Sequence, residues 1–551
     1  MFRRLALAAL VVLVVGLALG AGVASPTRGL GPEADTVGRS IANPESMQAI
    51  NSSNASIRPD PSEDRIGWEG GIWYNESLDV SYPLSQDEIR RITRRAAARV
   101  EYLRGLEYQS LPSVTLISRE TFIDEYAPAR RDVSDSERAL RNAMWEAMYV
   151  VDESQDAIAV QRRNRREAVL GFYNHSREEI VIVSDSASAP RMNEVTLAQE
   201  LMHALQYQQF SLPHASPTTL EGRNSHQAVI EGDANYVEIL YQRRCRAETW
   251  GSCIQSRNRT AVRPRPEVND GVALARGHPY KDGPKFIQQR RSAGGWDSID
   301  ALYEHPPEST EQVIHPTKYQ HDVPTAVVIP DRSSERWHRV TIDGRPDYEV
   351  VGEAGLSTMF MYPTYESHGT DGLVAPNRIL NANERGTASL IDPVNYSLNW
   401  SSGWDGDRLY VYTPANGTPP ETAYVWKLAW DSRAEAAEFQ RGYTRLLAYN
   451  GATRRTDDTW VLPESSSGDA VRIKRHGDRV IIVNAPTVEA LTAIHHTEAP
   501  AGTGSVTATP AQTVGTTRSQ SGPLEPLSLR VSVASVALGV VLLWRYRSTI
   551  Q

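Results

Sequence analysis

The sequence predicts an α+β protein with two folded regions, exported from the cell and held at a membrane by its C-terminal end. Stretches with helical periodicity and stretches with strand-like alternation follow one another along the chain. The 551 residues are enough for several domains and too many for a small disulfide-stapled scaffold. Apolar segments stand at both ends, and contents of 8% aromatic and 23% charged residues exclude disorder throughout.

The charge balance excludes one class of partner. The formal net charge is −9, whereas nucleic-acid binding needs a surplus of Lys and Arg to meet the phosphates, so we expect no nucleic-acid partner. Nearly all of the 58 cationic residues are arginine, because lysine occurs only at Lys281, Lys285, Lys318, Lys427 and Lys474. This acidic, arginine-rich composition resembles that of proteins from salt-loving archaea, although a GC-rich genome would give the same bias.

The N-terminal residues 1–24 are predicted to be a signal peptide. Arg3 and Arg4 precede an apolar run, and small residues surround Ala24. An uncleaved N-terminal anchor is the alternative, and either would export the rest of the chain. Residues 25–68 are polar and predict a loose leader.

The C-terminal residues 527–544 are predicted to be a transmembrane anchor. This apolar run is close to the lower limit of about 17 residues for a spanning helix, and Trp544 suits the membrane interface. Residues 545–551 would form a short cytoplasmic tail, and the Thr/Ser/Pro-rich residues 499–526 a stalk. The sequence therefore predicts a single-pass membrane protein of the cell surface with an exported N-terminal body.

The cysteines and the glycosylation sequons agree with export. Cys245 and Cys253 are close in the sequence, and outside the cell such a pair most simply forms a local disulfide. Sequons for N-glycosylation, each weak evidence alone, predict a glycoprotein. They begin at Asn51, Asn54, Asn75, Asn174, Asn258, Asn395, Asn399 and Asn416.

The first folded region is predicted to cover residues 69–335. Ser85 and Glu88 form a capping box that opens an amphipathic helix. Residues 113–118 alternate as a strand, and the segment 168–183 predicts a β-hairpin around Asn174, His175 and Ser176. Further helices are expected over 136–150, 195–209 and 227–242.

The second folded region is predicted to cover residues 336–498 and to be a smaller α+β domain. It is rich in strand patterns, with one strong helix over 432–448 and a closing strand over 479–485. The boundary is placed in the polar stretch 330–337.

One helical segment, TLAQELMHALQYQQF, carries residues suited to metal chemistry. Glu200 and His203 are three positions apart and therefore project from one face of a helix. The zinc-protease version of this pattern is HExxH, in which two histidines hold the metal and the glutamate is the general base. The first histidine position is Gln199 here, and a carboxamide oxygen is a weak zinc ligand. A lone E-x-x-H is common on helix surfaces, but Glu231 follows on the next predicted helix, as in zincins whose third ligand is a glutamate.

An ordered set of motifs resembles a bacterial and archaeal family of predicted zinc metallopeptidases. The set spans about residues 70 to 450 and comprises GFY, ELMHALQYQQF, EGDA, PYKDGPKF, GGWDSIDALY, PPESTEQVIHPTKY, GEAGL, GWDGDRLYVY and WDSRAEAAEF. The resemblance implies a zincin-like domain of helices plus an edge-strand hairpin, in which an edge strand pairs with the substrate backbone. Together with the two termini, the whole resembles a haloarchaeal cell-surface member of this family.

The resemblance also assigns roles to residues. The general base falls on Glu200, the retained zinc ligands on His203 and Glu231, and the lost zinc histidine on Gln199. His315 and Tyr319, in the STEQxxHPxKY motif, are candidates to lie near the cleft and stabilise an oxyanion, although packing residues would have the same pattern. His226 is a weaker candidate for a substitute ligand.

Two functions remain open from the sequence. Gln199 favours a degenerate, non-catalytic module that binds a peptide, a glycan or a surface protein, because losing one of three zinc ligands weakens metal binding. The alternative is an active zinc-dependent surface peptidase with Gln199, His203 and Glu231 as ligands and Glu200 as general base. A purely structural wall protein is a third possibility, which the absence of a cleft would favour.

Overall fold

The fold is known from a computed structural model that describes most of the chain between the two predicted terminal segments. The described residues are 65–126, 133–184, 192–212, 217–251, 253–254, 268–382, 386–415, 422–464 and 467–495. Within these ranges, no helix has the length and apolarity needed to cross a membrane. The predicted signal peptide, stalk, anchor and tail lie outside the described residues, as do Asn51, Asn54, Asn258 and Asn416.

Helices dominate the N-terminal part. In chain order they are α1 (Gln86–Arg104), α2 (Arg119–Thr121, continued by a π-helical turn, Phe122–Tyr126), α3 (Asp135–Ala147), α4 (Ala157–Ala168), α5 (Glu194–Gln209), α6 (Leu220–Arg246), α7 (Asp270–Arg276), α8 (His278–Lys281), α9 (Gly283–Gly294), α10 (Asp297–Glu304), α11 (Thr310–Ile314), α12 (Gly352–Glu366), α13 (Pro376–Ile379), α14 (Arg433–Tyr449) and α15 (Val488–Ile494).

The strands form three sheets. They are β1 (Trp68–Glu69), β2 (Ile72–Trp73), β3 (Ser113–Ser118), β4 (Gly171–Asn174), β5 (Glu179–Ser184), β6 (Trp337–Arg339), β7 (Trp404–Pro414), β8 (Ala423–Trp430), β9 (Thr453–Arg454), β10 (Thr459–Val461), β11 (Ala470–His476) and β12 (Arg479–Ala485). The strand orders are β1-β2, β3-β5-β4 and β6-β7-β8-β12-β11-β10-β9. The predicted α+β class is therefore confirmed.

Local signals in the sequence placed several elements. The Ser85 hydroxyl accepts from the Glu88 N–H while the Glu88 carboxylate accepts from the Ser85 N–H, so the predicted capping box opens α1. The predicted hairpin is β4 and β5, paired antiparallel from Gly171↔Ile182 to Asn174↔Glu179. Helix α4 was not predicted from the sequence. It has few apolar residues and many arginines, so it shows no clear apolar face.

The seven-stranded sheet is covered on both faces. Alternate residues such as Leu409 and Trp426 pack against Phe439 of α14, in a core that also contains Met144 of α3 and Phe360 of α12. Residues on the opposite face pack against α15. The larger core therefore runs across the predicted boundary at 335/336 and joins α3 to the sheet. The division into 69–335 and 336–498 remains a prediction.

A buried carboxylate ties the first region together. Glu194, the first residue of α5, is fully buried and pairs with Arg95 at 2.8 Å and Arg99 at 2.9 Å, both from α1. It also accepts from the Tyr241 hydroxyl of α6 at 2.7 Å and from the backbone N–H of Ile254 at 2.8 Å. With every lone pair of the carboxylate used, α1, α5 and α6 are fixed to one another.

We expect Glu194→Gln to lower the free energy of unfolding by about 3–5 kcal/mol, because it leaves two buried guanidinium groups without their counter-charge. Denaturant unfolding measures the change. Asp87→Asn is the matched control: it removes an ion pair with Arg90 whose side chains are 81% and 53% exposed, so it should cost at most ~1 kcal/mol. Equal effects of the two substitutions would contradict this account.

Candidate functional site

Helices α5 and α6 bring the predicted catalytic and metal-binding residues together. His203 Nε2 lies 3.3 Å from Glu231 Oε2. Glu200 and Glu231 are fully buried, and Gln199 and His203 are each 2% exposed. These four residues, which the sequence singled out on two separate helices, therefore share one buried site. Helix α5 is apolar around them, with Leu197, Leu201 and Leu205 fully buried.

The near partners of the polar atoms in this site are one another, the backbone N–H of Tyr173 and the hydroxyl of Tyr280. Both oxygens of Glu200, both oxygens of Glu231 and Nε2 of His203 are buried without a hydrogen bond of ordinary geometry. The amide nitrogen of Gln199 is in the same situation. Buried polar atoms without partners are rare in folded proteins and commonly mark sites where an ion or a ligand acts.

A chain of hydrogen bonds determines which nitrogen of His203 carries the proton. The amide nitrogen of Gln206 donates to the Ile230 carbonyl and to the Tyr303 hydroxyl, both at 2.8 Å. The amide oxygen of Gln206 is therefore the atom 2.8 Å from His203 Nδ1, and it must accept from that nitrogen. In neutral His203 this leaves the lone pair of Nε2 directed at the Glu231 carboxylate, an arrangement that only a proton or a cation stabilises.

The same chain extends away from the site. Tyr303 donates to Asp233 at 2.8 Å, and Asp233 is paired with Arg104 of α1 at 3.1 Å. Arg104 also contacts Asp300. The Asp of the EGDA motif is therefore three hydrogen bonds away from His203: it holds Tyr303, and through it Gln206.

Tyr280 is a site residue that the sequence analysis missed. Burial, followed by the charge of the adjacent Glu231 carboxylate, raises the pKa of its hydroxyl well above the usual value. Tyr280 lies on α8, within the PYKDGPKF motif, but nothing local in that motif indicates a contact with Glu231. The feature that places Tyr280 beside the site is a close contact between two glycines. A Cβ added to Gly232 would lie only 2.8 Å from the carbonyl carbon of Gly283. Only this close approach of α6 to the start of α9 brings α8 against the site.

The predicted edge strand lies beside Glu200. A Cβ on Gly171 of β4 would be 3.4 Å from Glu200 Cγ, and the backbone N–H of Tyr173 acts on the Glu200 carboxylate. In the described sheet β4 has a neighbour on one side only, so its other edge is directed toward the site helix.

The electrostatics of the site reflect crowded acidic groups in an apolar setting. Burial raises the pKa of Glu200 to about 8 and that of Glu238, two turns beyond Glu231, also to about 8. Burial alone would lower the pKa of His203, but the nearby Glu231 carboxylate outweighs it and raises the pKa to about 9.

The site contains donor types that a divalent cation accepts, and of these His203 Nε2 and Glu231 Oε2 lie close together, at 3.3 Å. The donors are an imidazole nitrogen, carboxylate oxygens and a carboxamide whose oxygen and nitrogen exchange places by one side-chain rotation. A bound cation would give the buried oxygens and the imidazole nitrogen a partner of ordinary geometry. The set contains one nitrogen ligand where the HExxH pattern supplies two, so it is less suited to zinc than that pattern.

His315 and Tyr319 have other partners. His315 Nε2 lies 3.0 Å from Glu353 of α12, and Tyr319 donates to the His305 carbonyl and stacks edge-on against Phe286. Their predicted role beside the cleft remains a prediction that these contacts do not support. His226 is half-buried, and burial lowers its pKa.

Two further acidic groups are described. Glu311, Asp322 and Asp431 converge, but the ammonium group of Lys318 lies 2.6–2.7 Å from all three and already occupies the place between them. Glu69, Glu101 and Glu107 form the other group. Glu101 there accepts from the backbone N–H groups of Gly67 and Tyr108.

The disulfide and the sequons are also placed. Cys245 and Cys253 form the predicted disulfide, with Cα atoms 5.6 Å apart. Asn75 and Asn399 are exposed, while Asn174 and Asn395 are partly buried. The Asn395 amide donates to the Arg378 carbonyl at 3.0 Å, which a glycan on that nitrogen would disturb.

We expect Gly232→Ala to destabilise the protein by about 1–3 kcal/mol, because the new methyl group overlaps the Gly283 backbone. Helix propensity alone predicts the opposite sign, a gain of about 1 kcal/mol. Thermal unfolding therefore decides between the two effects. Gly283→Ala probes the same contact, and the double variant should be non-additive. A stabilised Gly232→Ala protein would show that the two helices are not in close contact.

Comparison with known proteins places only the C-terminal part of the chain. A family model described as a domain of unknown function (DUF8575) matches residues 338–495. No curated protein and no solved structure matches the chain. The matched residues comprise the seven-stranded sheet with its helices, and they lie entirely after Glu200, His203 and Glu231 in the sequence.

Proposed function

We propose that the chain is a cell-surface protein whose zincin-like module binds extended peptides and has lost efficient hydrolysis through the substitution at Gln199. The observation that carries this proposal is a buried carboxamide beside otherwise complete site residues, Glu200, His203 and Glu231. A carboxamide brings neither the charge nor the affinity for zinc that a second imidazole would bring.

The peptide-binding part rests on β4. An extended segment that pairs with an exposed strand edge gains main-chain hydrogen bonds without needing a metal. The Tyr173 N–H lies on the site side of this strand, and the site residues lie directly below it. Loss of one metal ligand would therefore leave this mode of binding unchanged.

A surface location is part of the proposal. It is supported by the apolar segments at 1–24 and 527–544, the stalk composition at 499–526 and the disulfide between Cys245 and Cys253. Glycosylation is proposed first at Asn75 and Asn399, because these sequon residues are exposed.

An active peptidase is the second candidate, and the unpartnered atoms of the site favour it. Zinc, when bound, would polarise a substrate carbonyl and lower the pKa of water. His203, Glu231 and Gln199 would hold it. Glu200 would accept the proton from the attacking water, and the buried hydroxyl of Tyr280 would donate to the oxygen that becomes negative.

We expect Gln199→His to tighten zinc binding by ~100-fold or more. It restores an imidazole that bonds the metal directly, and loss of a residue that only supports a ligand already costs about 10–100-fold. Competition titration of the full-length chain in detergent at high salt measures this. Gln209→His adds a histidine at the exposed end of the same helix and should leave the affinity unchanged. If the unmodified chain bound zinc as tightly as the Gln199→His variant, the proposal that Gln199 weakens the metal site would be refuted.

We expect the unmodified chain to cleave no peptide in an unbiased peptide-library assay with added zinc, and Gln199→His to gain activity. Adding Glu200→Gln to that variant should abolish it, because the general base is lost while the ligands remain. Cleavage by the unmodified chain that Glu200→Gln removes would establish the second candidate and overturn the first.

A further inference from the structure

A polar cavity, separate from the site of Glu200, His203 and Glu231, lies between the helices of the first region and the seven-stranded sheet. Its volume is about 250 Å³. Glu146, next to the end of α3, and Glu153, in the turn before α4, contribute from one side, and Tyr424 of β8 and Asn484 of β12 contribute from the other. The lining residues described for this cavity include no lysine, arginine or histidine.

Glu146 lines this cavity, and the carboxyl group of Asp469 is bonded to Asn484, another of its lining residues. The two carboxyl groups also share a hydrogen bond. Like charges held this close require a shared proton or a bound cation.

Asn484 provides an independent observation. Its side chain is 2% exposed, and its amide nitrogen donates to Asp469 Oδ2 at 2.9 Å. Because the nitrogen is engaged in this way, the amide orientation is determined. The amide oxygen of Asn484 then has no hydrogen-bond partner, although it belongs to a residue that lines the cavity.

We propose that this cavity binds a divalent cation of the calcium type, with Glu146, Asp469 and the amide oxygen of Asn484 as its ligands. Carboxylate and amide oxygens are the ligands that calcium prefers, and the flexible geometry it accepts suits donors from three separate segments. The volume leaves room for coordinated water. Glu153 stands near the mouth, where it adds negative charge.

Such a site would link two parts of the chain. Glu146 is the penultimate residue of α3, while Asp469 precedes β11 and Asn484 lies on β12. A cation held by all three would fasten the first region to the sheet. The proposal does not depend on the function proposed for Glu200, His203 and Glu231.

The test is calcium titration of the full-length chain in detergent, after chelation and at constant high salt, followed by calorimetry and thermal unfolding. We expect one saturable site with a Kd of about 10⁻⁴–10⁻³ M, the range of extracellular calcium modules, and an unfolding midpoint that rises with calcium. Asp469→Asn should abolish both effects. Asp478→Asn, an exposed acidic residue of the adjoining hairpin, should abolish neither.

A second variant guards against simple misfolding of Asp469→Asn. Asn484→Asp adds a third carboxylate, so it should be less stable than the unmodified chain without calcium and should bind calcium at least ~10-fold more tightly, because affinity rises with ligand charge. No saturable calcium binding by the unmodified chain would overturn the proposal. Calcium binding that is unchanged in both Asp469→Asn and Asn484→Asp would also overturn the proposal. Binding of methylammonium in this cavity, with no binding of calcium, would overturn it as well.

Discussion

The buried carboxylate of Glu194 is the interaction on which the first region depends. It stands at the start of α5 and is bonded to two arginines of α1, a tyrosine of α6 and the backbone beside the disulfide loop. These contacts fix the axial position and rotation of α5 relative to α6. The direction in which Glu200 and His203 point, and hence their meeting with Glu231, follows from that fixed rotation.

The first region treats its buried charges in two different ways. Around Glu194 and Asp233 each carboxylate meets arginine and hydroxyl partners, as stability requires. Glu231 instead meets His203 Nε2 at 3.3 Å and the hydroxyl of Tyr280, without a bond of ordinary geometry to either. Such an imbalance is costly unless another species completes it, and it supports the ligand binding that we propose for this site.

What could be predicted from the sequence depended on the range of the interaction. The capping box at Ser85, the β4–β5 hairpin and the Cys245–Cys253 disulfide involve near neighbours and were predicted correctly. The meeting of His203 with Glu231 came from a motif resemblance. Tyr280 could not be predicted, because its position follows from contact between glycines 51 residues apart. Nor does local pattern reveal that α3 shares a core with a sheet that begins almost two hundred residues later.

In the function that we propose, Gln199 separates metal binding from peptide binding within one site. The chain from Arg104 through Asp233, Tyr303 and Gln206 still holds His203 in the tautomer that a metal requires. A site that had served packing alone would gain stability by replacing these polar residues with apolar ones. Their presence beside a carboxamide is better explained by a ligand that needs the shape and charge of the site but not a tightly held zinc ion. An extended peptide paired with β4 is the ligand that we propose.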